Sequence, residues 1–265
     1  MITTIRYIES PKDWIVYDEQ DLRDFQVYCS GDQTFSSPQH VYDAIQIPGR
    51  NGSLVRDQNK FNNADVTYSC WIGSDFRNNI SSLREFLMSK SGYKRLEDTY
   101  NPDEYRMGYL PNQLNVKGYY GSTFGQFDLT FTCRPERWLK SGEKEYLLGT
   151  VATGNLKNPT KFRSKPLWKV VFTSTTGLIF VANNENNFAT SMNFTGLTAN
   201  RVYYIDSELK QMWYVDNGNV VYANSCISSM RDQQIWLELG PGKNQFSFTN
   251  VNIGNSTLKP RWYII

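Results

Sequence analysis

The chain has 265 residues, a net charge of +2 and 20% charged side chains. That length holds one large or two ordinary domains, each with its own core. The charge balance indicates neither a nucleic-acid footprint nor a polybasic membrane surface. Its 17 Tyr, 15 Phe and 7 Trp, set among abundant Asn, Thr, Ser and Gly, predict a mainly β protein with many turns.

The N-terminus lacks a charged-then-apolar pattern, so no secretory signal is expected and synthesis in a cytosol is. No apolar run approaches the ~20 residues of a membrane helix, and the N-x-S/T triplets then carry no glycosylation message. Short strands are expected over residues 3–8, 14–17 and 25–29. Cys29, Cys70, Cys133 and Cys226 are scattered without a C-x-x-C, which favours buried thiols over a disulfide framework. With one His in the chain, a metal site is not expected.

Residues 47–72 open on the turn Pro48-Gly49-Arg50-Asn51-Gly52, continue as an irregular polar loop, and end in a strand over 65–72. There Val66, Tyr68, Cys70 and Ile72 share one face, with Thr67, Ser69 and Trp71 on the other. A helix follows, with Ser74 or Asp75 as cap and Gly92 as stop. Phe76, Ile80, Leu83, Phe86 and Leu87 form its apolar stripe. Two hairpins come next, 93–99 with 105–110, then 115–120 with 126–133. Phe127, Leu129, Phe131 and Cys133 face inward and Arg134-Pro135-Glu136 is expected to end the last strand.

Composition places a junction near residues 141–144, giving domains 1–143 and 144–265. Beyond it, strands are expected over 168–173, 178–182, 191–194, 201–205, 211–215, 220–222, 235–239, 245–248 and 261–264, a spacing that signals a β-sandwich. Asp216-Asn217-Gly218 is the strongest hairpin signal and Ser207-Glu208 another tight turn.

Enzyme motifs are missing. Gly121-Ser122-Thr123-Phe124-Gly125 has the wrong spacing for a nucleophile elbow. Gly240-Pro241-Gly242-Lys243-Asn244 is similar to a phosphate loop but lacks its spacing and its Ser/Thr. His40 reads as a loop residue rather than a base for Cys29, and Asp103-Glu104 as solvated turn chemistry rather than a carboxylate pair. Trp168, Trp213, Trp236 and Trp262 sit mostly at core positions of the alternation; Trp213 and Trp236 are the candidates for stacking on a sugar.

Several fragments gain meaning from their order. These are Ile47-Pro48-Gly49-Arg50-Asn51-Gly52, Tyr68-Ser69-Cys70, the helix with Leu83 and Leu87, and Phe131-Thr132-Cys133 before Arg134-Pro135-Glu136-Arg137-Trp138. In the second half they are Asn158-Pro159-Thr160, Pro166-Leu167-Trp168, Tyr204-Ile205-Asp206-Ser207-Glu208, Leu239 through Asn244, and Pro260-Arg261-Trp262. In this order the chain resembles the distal tail protein (Dit) family of long-tailed, non-contractile bacteriophages.

The resemblance implies an N-terminal β domain with one helix and a protruding hairpin, six copies of which close into a ring, and a C-terminal galectin-like β-sandwich outside it. It implies a structural, non-enzymatic hub in the virion, at the distal end of the tail, without cofactor or metal. Its partners would be itself as a homohexamer, the tail tube protein, the tail-tip (Tal-type) protein and, in some relatives, receptor-binding proteins. DNA and tape-measure protein would pass through in transit, and no membrane is involved. Ring contacts are expected from the first strands, the 50–63 loop and the 94–110 hairpin: Arg50, Asn51, Leu54, Arg56, Lys94, Arg95, Tyr100, Asn101, Tyr105 and Arg106. The chain departs from sugar-binding galectins in having no His in its second half, and residues 167–265 are too compact for an inserted arm or module. The alternatives are a host-cell carbohydrate-binding module and a cell-wall hydrolase acting through a carboxylate pair.

Overall fold

The computed structural model describes residues 13–30, 34–73, 75–119, 124–154, 156–230 and 236–265; the strand expected over 3–8 lies outside them. The chain divides into two compact units, Met1–Arg137 with Ile265, and Trp138–Ile264, so the division falls ahead of the 143/144 junction read from composition.

The first unit carries β1 (Ile15–Tyr17), β2 (Gln20–Asp21), β3 (Val27–Ser30), β4 (His40–Gln46), β5 (Ser53–Phe61), β6 (Ala64–Ile72), α1 (Phe76–Met88), β7 (Lys94–Asp98), β8 (Glu104–Tyr109), β9 (Lys117–Tyr119) and β10 (Phe124–Leu139). Its main sheet runs β2-β1-β7-β8-β10-β6-β3, with β9 also on β10. In β6 the alternation read from the sequence holds: Val66, Tyr68, Cys70 and Ile72 are buried, while Asp65 and Ser69 are exposed. β6 pairs with β10 from Gly125↔Ile72 to Cys133↔Ala64. Polar side chains bridge the outer face, where Ser69 donates to Asp128 and Thr132 to Asp65. α1 buries Ile80, Leu83 and Leu87 against Tyr17, Tyr68, Leu129 and Phe131. Asp75 holds the cap position at φ 51°, yet its carboxylate accepts from the Asn78 side chain rather than from a backbone amide.

Two expectations for this unit are corrected. β10 does not stop at Pro135 but runs on to Leu139. The β6 ladder ends at Cys133, two residues before Pro135, so Pro135 takes no part in it. The polar middle of residues 47–72 is not an irregular loop either; it is β5, paired with β4.

The second unit carries β11 (Tyr146–Leu147), α2 (Leu148–Gly154), β12 (Leu156–Asn158), β13 (Leu167–Val171), β14 (Thr176–Asn183), β15 (Phe188–Thr195), β16 (Val202–Asp206), β17 (Gln211–Asp216), β18 (Asn219–Tyr222), β19 (Ile227–Met230), β20 (Gly242–Thr249), β21 (Thr257–Lys259) and β22 (Tyr263–Ile264). A sheet ordered β11-β21-β13-β16-β17-β18 and another ordered β12-β20-β14-β15-β19 supply one shared core. Trp168, Val170, Tyr203, Ile205, Met212 and Leu258 enter it from the first sheet, and Ile179, Val181, Met192 and Phe194 from the second. This is a two-sheet sandwich built on period-two burial. Residues 236–239 form no strand; Leu239 makes only an isolated bridge to Ser164.

Candidate interaction surface

Among the described residues β4 and β5 pair only with each other and form a separate two-stranded arm of the first unit. At its tip Gly49 and Gly52 adopt φ 76° and 79°, which only glycine enters without strain, and the Arg50 amide donates to Ile47 O at 3.2 Å. At its base the register steps from Tyr42↔Asp57 to His40↔Phe61, a bulge in which Asn59 takes φ 53°. Asp57 pins that bulge. Its Oδ1 accepts the Asn59 amide at 2.7 Å and lies 2.8 Å from His40 Nε2. The His40 Nδ1 bonds Tyr42 Oη at 2.8 Å, and its ring packs 4.3 Å from Tyr42 and 4.4 Å from Phe61. His40 is therefore a strand residue that clamps the arm, not a loop residue. It is no base for Cys29, whose thiol burial pushes up to about 12.

Both faces of the arm are apolar in part and open. Ile45 and Leu54 pair on one face and Ala44 and Val55 on the other, with Tyr42 beside them. Ile45 and Leu54 are each 47% exposed, Tyr42 51% and Val55 60%. A lone two-stranded hairpin is marginal in water, and contiguous exposed apolar side chains mark interaction surfaces.

Arg50, Asn51, Leu54 and Arg56 all lie exposed on this arm. The other expected ring residues do not share its setting. The β7–β8 hairpin has no free edge, since β1 pairs with β7 and β10 with β8. Lys94 and Arg95 are half-buried, and the Arg95 guanidinium stacks 3.9 Å from the Tyr105 ring. Tyr100 donates to Cys29 O at 3.5 Å, and the Asn101 amide to Asp98 Oδ1 at 2.9 Å. Arg106 is 5% exposed and donates to the carbonyl of Thr34, so it offers nothing to a neighbour. Glu104 faces Arg137 at 3.4 Å while Asp103 is solvated, which leaves no carboxylate pair at that turn.

In the second unit Trp236 is 9% exposed and belongs to the core, which removes it as a sugar platform. Trp213 is half-buried and stacks on Tyr204 at 5.5 Å and 13°. Tyr204 covers one face of Trp213, which leaves at most the other for a saccharide. The Gly240–Asn244 loop closes on itself: Asn244 accepts the Gly240 amide and donates to Gly240 O and Gly242 O, so its polar groups are spent internally.

The architecture has solved counterparts. The Dit protein (gp 19.1) of phage SPP1, described as a paradigm of the hub adsorption apparatus in phages infecting Gram-positive hosts, superposes with a TM-score of 0.69 at 15% identity, over 96% of this chain and 99% of that one. The chain has the fold of a phage distal tail protein. Chains of the phage P2 baseplate in its activated conformation, with Ca or with Sr, match at a TM-score of 0.55 and 10% or 11% identity, over 93% of this chain and 96% of theirs. No protein-family model matches the chain, and no curated protein sequence does. The distal-tail fold is thus recovered where overall sequence similarity is nearly gone, and it extends across both units.

Proposed function

We propose that this chain is a structural, non-enzymatic hub of a phage tail, six copies of which close into a ring at the distal end. The observation that carries this reading is the end-to-end likeness to the SPP1 Dit protein, 96% of one chain against 99% of the other. The arm adds a physical reason for assembly. A protruding hairpin with apolar side chains on both faces is stabilised when a neighbouring copy covers it, and head-to-tail contacts of that kind form a ring when the rotation between copies closes. The first unit would form the ring and the second, a galectin-like sandwich in this reading, would stand outside it. The tail tube protein would dock on one side and a tail-tip protein on the other, with receptor-binding proteins as further partners. DNA and tape-measure protein would cross the lumen, in keeping with the chain's modest net charge of +2.

Light scattering on the purified protein across a concentration series tests the ring. The expected result is a species about six times the 30.7 kDa chain, or exchange between smaller rings and that mass. A monomer at every concentration, unchanged by added tail tube protein, would count against it. The carbohydrate-binding alternative is weakened, because Trp236 is buried and Tyr204 stacks on one face of Trp213.

A further inference from the structure

Among the described residues the sandwich of the second unit has four terminal strands, and three are guarded or minimal. β11 has two residues and β12 three, and β19 meets β15 with a register shift at Asn193/Phe194. Short and bulged edges resist further pairing. The fourth, β18, is different. It ends the β11-β21-β13-β16-β17-β18 sheet, pairs with β17 in unbroken register, and contains no Pro, Lys or Arg in Asn219-Val220-Val221-Tyr222.

Register decides which backbone groups this edge offers. Asn217 and Gly218, at φ 49° and 81°, make a two-residue turn, which sets Asp216↔Asn219 as a hydrogen-bonded pair. Alternation then makes Tyr214↔Val221 bonded and leaves Val215↔Val220 and Trp213↔Tyr222 as the non-bonded pairs. The next bonded position confirms the phase, with the Ala223 amide donating to Met212 O at 2.7 Å. The N–H and C=O of Val220 and Tyr222 consequently point away from β17. No described strand pairs with them.

The side chains beside that edge are apolar and open. Val220 is 55% exposed, Tyr222 67% and Val215 51%. They share the outer face of the sheet with Val202, Tyr204 and Trp213, since Val215 opposes Val220, Trp213 opposes Tyr222, and Tyr204 opposes Trp213. One face is thus a continuous apolar strip that runs to an unprotected row of donors and acceptors.

We infer that β18 is a docking edge for an extended segment of another tail protein, which adds to the sheet as a seventh strand. Two outward amides and two outward carbonyls, on residues two apart, are the groups an added strand pairs with. The incoming segment would present apolar side chains at alternate positions, where they continue the Val215–Val220 and Trp213–Tyr222 rows. The edge lies in the sandwich and uses no residue of the β4–β5 arm, so it would serve a partner other than the neighbouring copies in the ring.

The inference rests on the tail-component reading, and the test separates the two. Hydrogen exchange is measured on the purified chain and on intact tails that contain it. The Val220 and Tyr222 amides should exchange freely in the isolated chain and slow on the order of 100-fold in tails. The Val221 amide, bonded to β17, should be slow in both. Absence of the chain from tails would refute the tail reading itself; its presence with Val220 and Tyr222 exchanging as in the free chain would overturn the docking edge alone. Val220→Pro supplies a second readout, because it removes an outward N–H without breaking the β17 ladder. In competition with Val220→Thr, which keeps that N–H, the Pro variant should enter tails on the order of 10-fold less often at equal ring mass. Equal incorporation of the two variants would also overturn the proposal.

Discussion

Asp206 shows how one carboxylate organises a corner of the sandwich. Its Oδ1 accepts the Glu208 and Leu209 amides at 2.9 and 3.0 Å and closes the turn after β16. Arg261 grips both oxygens at 2.8 and 2.9 Å. With the Asp206 side chain 3% exposed, Asp206→Ala should remove about 3 kcal/mol from the stability of this unit, as measured by urea unfolding. In the first unit Lys90 joins the end of α1 to the β1–β2 turn, 2.7 Å from Asp18. The hydrogen bond from Lys90 is the main cause that holds the Asp18 carboxyl below its usual range. A depressed folded value means the pair stabilises above the unfolded pKa of about 3.9 and is lost as pH falls through the folded one. Both groups are about a quarter exposed, so Lys90→Met should cost at most about 1 kcal/mol near neutral pH. That difference from the parent should vanish in acid titrations run below the carboxylate range. The thiols give a third check at this scale. Burial pushes Cys29 and Cys133 up to about 12 and Cys70 well above its ordinary value, whereas Cys226 is half-exposed. A maleimide at pH 8 should label Cys226 alone in the native chain and all four cysteines after denaturation.

Among the elements, the β17–β18 hairpin turns on Gly218. Gly218 sits at φ 81° with open space where a Cβ would go, so Gly218→Ala meets backbone strain and no clash. The expected loss is about 1 kcal/mol in thermal unfolding. That hairpin was readable because Asp-Asn-Gly between apolar residues encodes a tight turn locally. The arm was not readable. Its strands face no core of their own, so His40–Gln46 and Ser53–Phe61 carry no buried alternation: none of their residues is buried, and most are exposed. Pro135 misled for a related reason, since its tolerance in β10 depends on where a partner strand stops.

For the molecule as a whole, the arm is dispensable to the fold but not to the proposed ring. Replacing residues 43–56 with Asn-Gly joins the Tyr42↔Asp57 pair by a two-residue turn. This variant should melt within a few degrees of the parent, because the removed residues lie outside the core cluster of the first unit. Light scattering should show that it no longer reaches the hexamer mass. Retention of the ring would exclude the arm as the joining element.

What the sequence determined by itself was whatever depends on near neighbours: a β-rich chain, the α1 stripe, the Val66–Ile72 alternation, the Asn-Gly turn, and the ordered fragments that resemble distal tail proteins. Tertiary structure alone decided which edges stay free. It paired β7 and β8 on both sides, buried Arg106 against Thr34, and turned Trp213 onto Tyr204. It left the arm and β18 uncovered. The physical reason is that a side chain's face follows from its own strand's period, whereas its exposure follows from pairing with residues far away in the chain.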